Sequence, residues 1–156
     1  MAGVVTSALL AAAGLAGCGG NDVHVDGFAV ASADRAACRR LLSALPAKVA
    51  DQSRRTTTGS RYAAAWGDPA IVLRCGVAPA KGSAADPCIT RNGIGWTVPP
   101  GEADDLGADL LMTLAFRTPV VQVRVPASYR PNGPSAVMAD LDAVVRADTT
   151  ARGKCS

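Results

Sequence analysis

The sequence predicts an α+β fold: a two-layer sandwich in which a mostly antiparallel sheet of about five strands carries two helices packed on one face. Three observations lead there. Apolar residues recur at helical spacing in one segment near each end of the chain. Between those segments the period shortens to that of strands. The links between neighbouring strands are too short for parallel crossovers. The 156 residues suffice for one domain.

The first helix is read from "SADRAACRRLLSALP" (32–46), where Cys38, Leu41, Leu42 and Leu45 fall at i, i+3, i+4 and i+7 and make one apolar stripe. Ser32 is expected as its N-cap and Pro46 as its stop. The polar "DQSRRTTTGS" (51–60) is expected to be a loop. "RYAAAW" and "AIVLRCGV" then flank "GDP" and read as a hairpin turning on Gly67 and Pro69. "GIGWTV" (93–98) is a short third strand, and "DLLMTLAFR" and "VVQVRVP" follow on either side of Thr118-Pro119. In the last of these, Val121, Val123 and Val125 alternate with Gln122 and Arg124, the pattern of a strand with one dry and one wet face. The second helix is "GPSAVMADLDAVVRAD" (133–148), with Pro134 in its first turn and a stripe of Val137, Met138, Leu141, Val144 and Val145.

Ahead of this domain, residues 1–17 contain no charged side chain. As a helix they would rise only about 26 Å, short of the roughly 30 Å of a hydrocarbon core, so the stretch suits a secretory signal better than a permanent span. Leu15-Ala16-Gly17-Cys18 then matches the bacterial lipobox, in which the thiol beside the cleavage point receives a diacylglyceryl group. No Lys or Arg precedes Cys18, although an export signal ordinarily opens with one. The native start is therefore expected upstream of Met1, or the sequence to have been trimmed. The expected organisation is a signal peptide over 1–17, a flexible tether over 18–27 and a disulfide-braced domain over 28–156. Two or more acyl chains, at about 0.8 kcal/mol per buried methylene, hold a protein at a bilayer essentially permanently. The expected location is the extracytoplasmic face of the cell membrane, and the expected membrane partner is reached through Cys18.

With Cys18 assigned to lipid, Cys38, Cys75, Cys88 and Cys155 form an even set in an oxidising compartment. The favoured pairing is Cys75 with Cys88, across the turn-rich "GVAPAKGSAADP", which leaves Cys38 for Cys155. Four thiolates on one metal ion would require the close C-x2-C pairs that this sequence lacks, so no metal is expected. Bracing suits this core, because Ala supplies much of the 49% hydrophobic content and aromatics only 4%.

Catalytic motifs are sparse. His24 is the single histidine and falls in the tether, where a nucleophilic device cannot hold an imidazole rigidly. The acidic "GEADDLGAD" (101–109) lacks the fixed ligand positions of a calcium loop and reads as a solvated turn. "NGIGW" is not a phosphate-cradling motif. A net charge of +3 and few aromatics speak against nucleic acid as a partner. No cofactor is expected. Trp66 and Trp96 read as core residues. Trp66, Asp68 and Arg74 around the "WGDP" corner, together with Gln122 and Arg124 on the wet sheet face, are the candidate surface for a ligand or partner.

The lipobox, Cys38 followed by "LLSALP", "WGDPAIVLRCG", "NGIGW" and "VVQVRVP" ahead of a final helix together carry a resemblance. The chain resembles an uncharacterised family of actinobacterial cell-envelope lipoproteins, classed as a domain of unknown function, over most of residues 30–150. The resemblance implies an envelope location and a single domain, and it assigns no catalytic residues. The expected function is that of a non-enzymatic lipoprotein whose domain binds an envelope protein or a cell-wall component. The alternative is an envelope hydrolase acting on the wall through carboxylates that spacing alone does not reveal.

Overall fold

The computed structural model describes residues 22–79 and 87–155, so the lipobox, the proposed signal and the greater part of the turn-rich segment before Cys88 lie outside the described residues. The fold is α+β. In chain order the elements are β1 (Val23–Val25), α1 (Arg35–Ala44), β2 (Lys48–Val49), β3 (Gln52–Arg55), β4 (Thr57–Gly59), β5 (Ala63–Trp66), β6 (Ile71–Cys75), β7 (Cys88–Arg91), β8 (Ile94–Thr97), β9 (Leu110–Leu114), β10 (Arg117–Thr118), β11 (Val121–Val125), α2 (Gly133–Asp148) and β12 (Thr150–Ala151). Eight strands form the main sheet, in the order β2-β3-β5-β6-β11-β9-β8-β7. Every pairing in it is antiparallel. Among the described residues no helix is long and apolar enough to cross a membrane.

The sheet has eight strands rather than the expected five, the additional ones being β2, β3 and β7. β3 lies within the segment expected to be a loop, and its residues Gln52, Ser53, Arg54 and Arg55 are all exposed or half-buried. Its backbone is nevertheless paired on both sides, to β2 and to β5. Backbone pairing carries no side-chain signature when neither face is dry. β4, in the same segment, pairs in parallel with β1, His24 standing opposite Thr58. That pairing also corrects the tether: Val23–Val25 is a strand, with Val25 buried, and only residues up to Asp22 precede it. The N-cap of α1 is Asp34 rather than Ser32, and the helix ends at Ala44, two residues ahead of Pro46.

Cross-strand register sorts the sheet's side chains into two faces, since residues directly opposite each other point the same way. Ala64, Leu73, Val123 and Met112 form one row of the dry face. They share a single buried cluster with Cys38 and Leu41 of α1 and with Val137, Leu141, Val144 and Val145 of α2. The second face carries the row Ala63, Arg74, Gln122, Thr113, Thr97, Cys88. The helical stripes are used as the sequence predicts: Cys38, Leu41 and Leu45 are buried, Leu42 is partly so, and all five stripe residues of α2 are buried.

Two disulfides brace the domain, and their pairing overturns the expected one. Cys38 bonds to Cys75, tying α1 to β6, and Cys88 bonds to Cys155, tying the edge strand β7 to the C-terminal tail. Cys75 and Cys88 could not have met. Between β6 and β7 lie β11, β9 and β8; four steps at about 4.8 Å put the two strands roughly 19 Å apart. Register also sets Cys88 on the second face, whereas Cys75 adjoins Arg74 and points into the core. Gly95 opens the way for the C-terminal bridge, because a Cβ there would run into the Cys155 sulfur.

Two hairpin turns follow from local chemistry. Gly67 opens the β5–β6 turn at φ +75°, as the sequence implies, and its missing Cβ leaves room for the Tyr129 hydroxyl. That hydroxyl donates to the Pro69 carbonyl at 2.8 Å. Asn92-Gly93 joins β7 to β8 with both residues at positive φ, the two-residue turn this dipeptide favours. Arg146 of α2 clamps that turn by donating to the Asn92 carbonyl at 2.6 Å.

Candidate functional site

The candidate surface divides when folded. Trp66 is wholly buried in the core cluster; its indole N–H donates to the Pro46 carbonyl at 3.1 Å, and the Arg54 guanidinium covers its ring at 5.3 Å. Partial burial lowers the pKa of Arg54 from its ordinary value, because desolvation disfavours the charge. Asp68 lies in the β5–β6 turn, exposed, with a carboxylate oxygen 4.0 Å from Arg55. Neither residue joins the others. Trp96 is likewise core.

Arg74, Gln122 and Arg124, in contrast, come together on the second face of the sheet. A groove of about 340 Å³ lies between that face and β1, lined by His24, Val25, Val72, Arg74, Leu111, Gln122 and Arg124. Strand alternation delivers these residues: Val72 and Arg74 come from β6, Gln122 and Arg124 from β11, Leu111 from β9, and His24 with Val25 closes the side. The contributions of β1 are not evident from spacing in the sequence. The signal that could have revealed them is the Val-His-Val alternation, hidden between the linker-like Asn21-Asp22 and Asp26-Gly27.

The polar groups of the groove differ in how they are engaged. The Gln122 amide N–H donates to the Thr113 hydroxyl at 3.2 Å, which fixes its orientation. Arg124 is 58% exposed and meets Asp109 at 3.5 Å, an ion pair open to solvent and so weakly held. Arg74 is half-buried, with its guanidinium 5.8 Å above the Phe28 ring. Among the described residues, no carboxylate lies within 4.0 Å of Arg74. His24 stands 3.3 Å from the Thr58 hydroxyl and 3.4 Å from Asp26. This hydroxyl–imidazole–carboxylate chain is open to water, with the histidine and aspartate side chains 67% and 91% exposed. Acyl transfer needs a preorganised, dry site, which such exposure denies.

The family model for proteins of unknown function DUF3515 matches residues 1–153. The chain belongs to the DUF3515 family. No curated protein and no solved structure matches this chain. Membership in DUF3515 brings no assigned residues, so the chemistry of the DUF3515 domain rests on its geometry.

That geometry gives the acidic side chains structural tasks. Glu102 accepts from the Leu111 backbone N–H, Asp105 from Gly107, Asp109 from Ala127 and Asp140 from Ala50. Within the acidic loop, the Arg130 guanidinium takes the place a cation would have. Its Nη1 donates to the carbonyls of Glu102, Asp105 and Ala108 at 2.8, 2.6 and 3.1 Å, and its Nη2 donates to Ala103 at 2.7 Å. The loop is thus closed on an internal positive charge. A larger cavity of about 480 Å³, beside Gly76 and the start of α1, is lined mainly by Ala, Val and Pro, with Asp34 as its one charged side chain. It lacks the paired cations of the groove.

Proposed function

We propose that this DUF3515 protein is an extracytoplasmic lipoprotein, held to the cell membrane by a diacylglyceryl group on Cys18, and that its domain is a binding module rather than an enzyme. The observation that carries the reading is the cysteine pairing. Cys38–Cys75 and Cys88–Cys155 account for every cysteine of the sequence except Cys18. Two structural disulfides suit an oxidising compartment. The thiol left over is the one that follows Leu15-Ala16-Gly17.

In this reading residues 1–17 are removed as a signal, and a short link from Cys18 to Asp22 replaces the longer tether. Both helices lie over the dry face of the sheet, which leaves the groove free on the other. The groove supports binding because it gathers two guanidinium groups and an oriented amide over an apolar floor, a lining suited to a small ligand bearing an acidic or hydroxyl group. Wall fragments and envelope proteins both offer such groups.

The test is membrane fractionation of cells producing the native chain or Cys18→Ala. The native chain should sediment with membranes and accumulate as a longer precursor under globomycin, whereas Cys18→Ala should leave the membrane fraction. Retention of Cys18→Ala, with no effect of globomycin on the native chain, would overturn the anchor.

A further inference from the structure

Deepening the binding reading above, we infer that the groove between β1 and the sheet receives the phosphate head group of an anionic phospholipid of the membrane to which Cys18 is attached. A guanidinium has five N–H donors and no acceptor. Among the described residues, those of Arg74 meet no carboxylate, and the guanidinium stands 5.8 Å from the centre of the Phe28 ring. A cation–π contact at that distance leaves the guanidinium N–H groups free to donate. An arginine with unengaged donors in a groove is a receptor for a pair of anionic oxygens, as a phosphate diester presents.

Arg124 supplies the second arm. Arg74 stands directly opposite Gln122, so Arg124, two residues further along β11, is its diagonal neighbour at roughly 7–8 Å, within reach of long side chains. Its hold on Asp109 is solvent-exposed, and a phosphate between the two arginines can displace it. Val25, Val72 and Leu111 provide an apolar floor against which a glycerol backbone can lie.

The choice of lipid over another source of phosphate follows from reach. His24 lines the groove and is six residues from Cys18. At no more than about 3.6 Å per residue, the groove's β1 wall lies within about 22 Å of the acylated residue. A short covalent link to the bilayer gives lipid head groups a high effective concentration at this site.

The test uses full-length Cys18→Ala protein and dihexanoylphosphatidylglycerol below its micellar concentration, titrated by calorimetry. Dihexanoylphosphatidylcholine and sodium phosphate are run in parallel. The glycerol lipid should bind, the choline lipid at least tenfold more weakly because it brings a cation towards two arginines, and inorganic phosphate more weakly still. Arg124→Gln should lower affinity by about tenfold or more, the size of a lost charge-assisted hydrogen bond. Arg124→Lys should recover part of that loss. Arg39→Gln, which removes the same charge from the exposed surface of α1, should leave affinity unchanged. Arg124 is exposed, so its replacement spares the core, and near-UV circular dichroism verifies the fold. The inference is overturned by no binding, by equal binding of the two lipids, by phosphate binding as tightly as the glycerol lipid, or by Arg124→Gln behaving like Arg39→Gln. None of these outcomes depends on acylation, so failure here leaves the fractionation test of the anchor standing, and the reverse holds as well.

Discussion

Removing the Cys38–Cys75 bridge by replacing both residues with alanine should bring the domain close to its stability limit. The bridge spans 37 positions of sequence; the loop-closure relation for a stretch of that length gives about 4 kcal/mol of lost restraint on the unfolded chain. Both sulfurs are completely buried in the main cluster, and a Cβ at Gly76 would come within 3.2 Å of the Cys38 sulfur, so packing there is tight. Truncation should add about 1–2 kcal/mol for the cavity left behind. The comparison that isolates this second contribution is Cys88→Ala with Cys155→Ala. That bridge spans 67 positions, for which the same relation gives about 4 kcal/mol, but its cysteines are only half-buried. Urea unfolding of the oxidised proteins, followed by tryptophan fluorescence, measures both losses. The core double variant should lose more than the peripheral one, by about 0.5–1.5 kcal/mol once the longer peripheral loop is allowed for. Because net stabilities are about 5–15 kcal/mol, the core variant's whole loss, bridge and cavity together, removes about a third of the stability or more. A core variant losing less than the peripheral one would refute the placement of this bridge between α1 and β6.

Two further substitutions probe the frame around the groove. Trp66→Phe keeps an aromatic ring in the core but leaves the Pro46 carbonyl without its donor, and thermal unfolding should report a loss of about 1–3 kcal/mol; an unchanged melting temperature contradicts the core assignment. Arg130→Gln cannot span the four carbonyls of residues 102–108, so it should cost about 2 kcal/mol and expose that loop to limited proteolysis. Since a guanidinium already fills the loop, millimolar calcium should leave the melting temperature of the native protein unchanged, and a rise would show that the loop takes a metal after all.

What could be read from the sequence was whatever separates a dry face from a wet one. α1 carried a stripe at i, i+3, i+4 and i+7, α2 carried one through Val137, Met138, Leu141, Val144 and Val145, and β11 alternated, so these elements were legible to within a few residues. β3 was not, because Gln52–Arg55 lies in a paired but wet part of the sheet and has no apolar period to detect. β1 was obscured by its Asp and Gly flanks, although its register with β4 makes it one wall of the groove. The disulfides were misread because nearness in sequence was taken for nearness in space. Topology sends β7 to the far edge of the sheet, while α1 returns over β6. Of the candidate site, Gln122 and Arg124 were found by facing, since both occupy wet positions of the alternating strand β11. Trp66 and Asp68 were set beside Arg74 by sequence proximity, and the β5–β6 hairpin separates them.

The state of the five cysteines in the native protein decides most directly whether Cys18 is an anchor and the other four are bridges. Intact-mass measurement of material extracted from membranes, before and after reduction, reads all five together. The predicted mass is that of a chain beginning at Cys18 and carrying a diacylglyceryl group, with thiol alkylation adding nothing until reduction and then four labels. A mass that retains residues 1–17, bears no acyl group and takes up label without reduction would contradict it.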